Sequence, residues 1–163
     1  MLANGRCRRD AGEVLPDDEH GRDPAERPDD MPVCGPRCLR EALRRFAIEA
    51  GSPDVTQRCK TSCEGTSIRN LLAAARSYEL RAYVCKVGTE LLLDLVCSGD
   101  SIIIAHTRKG HFVLVECVTE ESVTLWDPDQ GTCELSRLDF EEAWDGVCIV
   151  LRSPPTGSAQ AGL

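Results

Sequence analysis

The stretch HFVLVECVTEESVTLWD, residues 111–127, decides the reading of the fold. Two apolar runs, Val113-Leu114-Val115 and Val123-Thr124-Leu125-Trp126, flank the polar Thr119-Glu120-Glu121, the pattern of a β-hairpin. Antiparallel partners keep a constant sum of residue numbers. A hairpin centred near Thr119 therefore sets Val113 against Leu125, Val115 against Val123 and His111 against Asp127, all six on one face. A slip of one residue would oppose His111 to Trp126 and break the apolar pairing, so the hydrophobic pattern itself predicts His111 and Asp127 as neighbours.

Further elements extend outward from this hairpin. Residues 80–87 and the isoleucine-rich 101–106 read as strands, 89–97 as a short helix capped by Thr89, 138–144 as a last helix and 146–151 as a closing strand. Upstream the pattern turns helical. Pro36 is tolerated only in the first turn of a helix, so it fixes the start of an amphipathic stretch over 37–50 that stops at Gly51. Residues 51–60 read as a loop. Thr66-Ser67 then caps a second helix, carried by Ile68, Leu71, Leu72 and Ala75, that runs to about Tyr78. Helices followed by an antiparallel sheet give an α+β domain.

Length and composition bound the rest. A chain of 163 residues supports one ordinary core, expected at 33–152. Residues 1–32 carry five arginines against nine acidic side chains with few apolar groups, and 153–163 are small and polar; both read as disordered tails. The remainder holds fourteen basic against eighteen acidic side chains, so the net charge of −8 has no basic patch, and nucleic acid is not an expected partner. No apolar run reaches the roughly 20 residues of a membrane helix. No signal-peptide pattern stands at 1–32. Ten cysteines in that setting predict a reducing, cytoplasmic compartment and free thiols. Cys85, Cys97, Cys117 and Cys148 lie in or beside apolar runs and read as small buried hydrophobes.

Cys34 is the chemical exception. It stands where Pro36 starts a helix, at the positive end of the helix dipole, where free backbone N–H groups favour thiolate over thiol. A cysteine nucleophile also needs a base and a group that fixes the base's tautomer, and His111 and Asp127 follow in that order. Taken singly, each has an ordinary reading: Cys34 as a core thiol, His111 as a strand-end histidine, Asp127-Pro128 as a turn initiator. His106 and His20 keep that ordinary reading. Cys34/Cys38 and Cys59/Cys63 form two C-x₃-C pairs that could hold zinc, but Cys38 falls on the helix's apolar face with Leu39, Ala42 and Phe46. No cofactor or metal is expected.

Several ordered motifs recur along the domain: Cys34-Gly35 with Leu39, Gly65-Thr66-Ser67 before a helix, His111-Phe112-Val113-Leu114-Val115, Asp127-Pro128 with Gly131, and Phe140 before Trp144 and Gly146. Together these resemble the double-glycine leader peptidases, best known as the N-terminal peptidase domain of bacteriocin-exporting ABC transporters. The resemblance covers about 33–151. It implies a papain-like fold and a soluble cysteine peptidase acting by proteolysis after a Gly-Gly leader site, with Cys34 as nucleophile, His111 as base and Asp127 as its orienter. A leader peptide as substrate and a membrane transporter as partner follow from the same resemblance; the alternatives are a catalytically silent peptide-binding domain of the same fold, motivated by Pro28 in place of a family glutamine, and a zinc-stabilised interaction domain built on the two C-x₃-C pairs. In the family a glutamine six residues before the nucleophile helps form the oxyanion hole, and this chain has Pro28 there; an acidic residue usually precedes the cysteine, and here it is Val33. Losing one oxyanion donor costs on the order of 10²–10³ in rate, which implies a slow enzyme.

Overall fold

The computed structural model describes residues 33–155; the segments 1–32 and 156–163, with His20 and Pro28, lie outside the described residues. In chain order the elements are α1 (Cys34–Arg45), α2 (Ser52–Arg58), α3 (Ile68–Ser77), β1 (Arg81–Lys86), α4 (Thr89–Cys97), β2 (Ser101–Thr107), β3 (Phe112–Val118), β4 (Ser122–Asp127), β5 (Gly131–Ser136), α5 (Arg137–Ala143) and β6 (Trp144–Arg152). The six strands form one antiparallel sheet in the order β1-β6-β2-β3-β4-β5. The N-terminal helices pack on this sheet as the α+β reading requires.

Both faces of the sheet are covered, which is why the central strands carry continuous apolar runs at 102–105, 112–115 and 147–151. Leu39, Leu43 and Leu71 of α1 and α3 pack with Ile104, Phe112, Leu114, Ile149 and Leu151 on one face. On the other, Leu92 of α4 and Phe140 of α5 pack with Ile103, Val113, Val115, Val123, Leu125 and Val150. Each fully buried leucine contributes roughly 1.5–3 kcal/mol, so the core is held by many comparable contacts rather than one. Among the described residues no helix is long and apolar enough to cross a membrane.

Three expectations are corrected by the structure, and one strand is added to them. First, α1 ends at Arg45 and not near Ala50. The N–H of Ala47 bonds to Arg44 O and that of Ile48 to Leu43 O, closing the last turn around Ala47, which takes the left-handed conformation (φ 58°) that glycine usually supplies. Second, 51–60 is not all loop, because α2 occupies seven of these residues. It buries Val55, with Cys59 just past its end, too little apolar periodicity to announce a helix. Third, α4 is capped at Gly88 rather than Thr89, whose hydroxyl instead donates to the Glu141 carboxylate at 2.5 Å. The added strand is β5, in which only Cys133 and Leu135 alternate with exposed Thr132 and Glu134, too weak a pattern to announce an edge strand.

The hairpin register also differs, by two residues. Val115 pairs with Leu125 and Leu114 with Trp126, whereas Cys117 pairs with Thr124 and Val118 with Val123. The turn is tighter than expected, with the Thr119 N–H bonded to Ser122 O at 2.8 Å, and β3 carries an extra residue between Val115 and Cys117. A shift of two keeps every side chain on its own face, so Val113, Val115, Val123 and Leu125 still share one cluster. By continuation of this register Asp127 comes level with Val113, diagonal to His111 rather than opposite it.

Candidate active site

Cys34 is the first residue of α1, and no side chain caps that helix end. The first turn can lie against the sheet because residue 35 has no side chain: a Cβ there would come within 3.2 Å of Thr66 Cβ and 3.3 Å of the Phe112 ring. Gly35 is thus fixed by close approach. Its consequence is that the Cys34 sulfur reaches the start of β3.

His111 immediately precedes β3, and its backbone is pinned on both sides. Its N–H bonds to the Thr107 hydroxyl at 3.1 Å, and its carbonyl accepts the Thr107 N–H at 2.8 Å across a turn containing Gly110. The ring Nε2 meets Asp127 Oδ2 at 2.9 Å. The ring also hydrogen-bonds Cys34, and with Nε2 engaged the nitrogen left for that bond is Nδ1. Asp127 is only 7 % exposed and divides its carboxylate: Oδ2 holds His111, while Oδ1 accepts the Asp129 N–H at 2.7 Å and shapes the turn into β5. The turn-initiator reading and the orienter geometry are therefore both present in one side chain.

The electrostatics favour a thiolate–imidazolium pair. Burial alone would raise the Cys34 pKa, but the hydrogen bond from His111, the N–H groups of Phe112 and Gly35 and the charge on His111 outweigh it and bring it below the ordinary thiol value. His111 is raised to about 9, chiefly by its bond to Cys34; burial opposes this and Asp127 adds to it. The pair is charged between the two values. Alkylation of Cys34 by iodoacetamide is accordingly expected to have a midpoint below that of an ordinary thiol, which His111→Ala moves up because burial then acts without the imidazole. A wild-type midpoint at or above 9 would contradict the ion pair.

Two features near the site were not read from the sequence. Arg37, one turn into α1, pairs with Asp129 at 2.9 Å and ties the cysteine helix to the turn after Asp127. The signal was available only as two short offsets, three residues after Cys34 and two after Asp127. His106 on β2 bonds through Nδ1 to Asp145 Oδ2 at 2.8 Å, with its ring 5.0 Å from that of Phe112. Among the described residues, the metal-ligating atoms that gather within 4.8 Å are those of His111, Asp127 and Asp129, all three already partnered. Cys34, Cys38, Cys59 and Cys63 form no such cluster, which removes the geometric basis of a four-thiolate zinc centre.

The chain matches the peptidase C39 family over residues 25–156. It is 26 % identical over 121 residues to an uncharacterized protein of Methanothermobacter thermautotrophicus, covering 74 % of this chain and 82 % of that one. It is 25 % identical over 124 residues, 72 % of this chain, to the pediocin PA-1 transport/processing ATP-binding protein PedD of Pediococcus acidilactici, of which it spans 17 %. Among solved structures, a double glycine motif protease from an AMS/PCAT transporter, in complex with the leader peptide, aligns with a TM-score of 0.66 at 23 % identity, covering 74 % of this chain and 84 % of that one. The peptidase domain of Streptococcus ComA aligns at 0.67 and 19 % identity, covering 76 % and 92 %. These likenesses show a papain-like peptidase-domain fold.

Proposed function

The chain belongs to the peptidase C39 family, and from that premise we propose that it is a cysteine peptidase cleaving peptides after a Gly-Gly leader site. One observation carries the reading: His111 is hydrogen-bonded on one side to a cysteine at a helix start and on the other to a buried carboxylate. The Cys34 thiolate attacks the carbonyl carbon of the second glycine. The imidazolium of His111 gives its proton to the departing amine, leaving a thioester. Water, deprotonated by His111, then attacks the thioester, releasing the leader as an acid and restoring the thiolate–imidazolium pair. Asp127 holds the imidazole in the tautomer and orientation both steps need. Gly-Gly specificity is supported by the resemblance and by the solved neighbour described as a double glycine motif protease.

The backbone N–H of Cys34 is one oxyanion donor in this scheme, and with Pro28 at the glutamine position turnover is slow. The proposed setting is the cytoplasmic face of a transporter that exports the processed peptide. Mass spectrometry of a synthetic peptide with an internal Gly-Gly, after prolonged incubation, tests the activity. A fragment ending in Gly-Gly, absent after iodoacetamide treatment of the protein, is the expected product. A peptide that is bound yet recovered intact would overturn the peptidase reading in favour of a silent binding domain.

A further inference from the structure

Three positions of α1 converge on one residue of β3. The Phe112 N–H points at the Cys34 sulfur, the Phe112 ring packs against Gly35, and the Phe112 carbonyl accepts a hydrogen bond from the Cys38 thiol at 3.3 Å. The pairing of β3 with β4 begins at Leu114, so Phe112 lies beyond that ladder. Cys34 and Cys38, one helical turn apart, serve this residue as acceptor and donor, in the way a neighbouring strand would. His111 is the residue directly before it.

We infer that Cys38 is a positioning residue for the site: by donating to the Phe112 carbonyl, its thiol holds β3 at the height on α1 where His111 meets Cys34. A fully buried cysteine is ordinarily a small hydrophobe, and packing alone would be served by any apolar side chain of similar volume. The hydrogen bond is what valine cannot supply. Loss of the donor leaves a buried carbonyl unpartnered next to the reacting groups, and a displacement there acts on geometry that catalysis requires to a fraction of an ångström. Cys38 suits the role because it stays a neutral donor while Cys34 is ionised: burial, the Cys34 charge and Asp127 all push its pKa well above the ordinary value, against only Arg37.

The inference rests on the proposed catalysis, but its test does not need turnover. Iodoacetamide labelling, mapped to Cys34 by peptide mass, is followed against pH in Cys38→Ala, Cys38→Val and Cys38→Ser, alongside cleavage kinetics and the thermal midpoint. Of the charged groups around the two thiols, His111 before β3 acts on Cys34, while Asp127 at the end of β4, Asp129 in the turn after it and Arg37 on α1 act on Cys38. Without the donor, Ala and Val are expected to raise the labelling midpoint by about half a unit to one unit and to lower kcat about tenfold with KM nearly unchanged. Ser, which keeps a donor, restores most of both. A valine variant with the wild-type midpoint would overturn the inference, and so would a serine variant as displaced as valine. Absence of cleavage together with these midpoint shifts would count against the peptidase reading while upholding the role of Cys38.

Discussion

Cys34→Ala is expected to remove cleavage altogether, a loss of at least about 10⁴-fold, and to remove the thiol that alkylates at lower pH than an ordinary one. The change deletes one sulfur and adds no strain, since alanine suits the first turn of a helix. Among the described residues no second reactive thiol stands at the site. Cys38 is buried and held as a thiol, and burial pushes Cys59 up to about 12 and Cys148 well above the thiol range. Cys63, Cys97 and Cys117 are exposed, which corrects the reading of the last two as buried hydrophobes, and peptide mass separates their labelling from that of Cys34. Cleavage kinetics and site-resolved alkylation near pH 7, on protein with an unchanged thermal midpoint, check the expectation. Cleavage surviving at even a tenth of the wild-type rate would place the nucleophile elsewhere.

Asp127→Asn is expected to cost about 10²–10⁴ in kcat while leaving KM nearly unchanged. The argument is one of acceptors. The carboxylate uses Oδ2 for His111 Nε2 and Oδ1 for the Asp129 N–H, and an amide has one carbonyl oxygen to serve both donors. If the oxygen keeps the turn, the NH₂ group faces Nε2 and favours the wrong tautomer; if it keeps His111, the turn into β5 loses its acceptor. The charge is lost either way. His111, raised to about 9 partly by its bond to Asp127 and by that residue's charge, then loses its proton at lower pH. The basic limb of the pH–rate profile should therefore move below 9. A limb that stayed in place would mean that Asp127 only shapes the turn.

Residue chemistry that acts locally was legible in the sequence. Pro36 marked the start of α1 to within two residues and thereby put Cys34 at its end, and the Ser67 hydroxyl caps α3 through the Asn70 N–H at 3.1 Å. The parity of the hairpin was legible too, because burial of one face punishes a slip of one residue and is indifferent to a slip of two. The true register depended on an extra residue in β3 and a tight turn, neither of which changes the apolar pattern. His111 and Asp127 meet despite the shift because the imidazole ring is long enough to span the diagonal between them. The triple hold of α1 on Phe112 was not legible: it joins residues 74 and more positions apart and uses a thiol that, as sequence, looks like core.

The most direct measurement is hydrolysis of an internal Gly-Gly peptide in ¹⁸O-labelled water, with products weighed by mass spectrometry. Attack by Cys34 followed by water predicts a leader fragment ending in Gly-Gly whose new carboxylate carries one ¹⁸O, formed by the wild-type chain and not by Cys34→Ala. The same labelled fragment from Cys34→Ala, or none from the wild type, would contradict the assignment of Cys34, His111 and Asp127 as the catalytic residues.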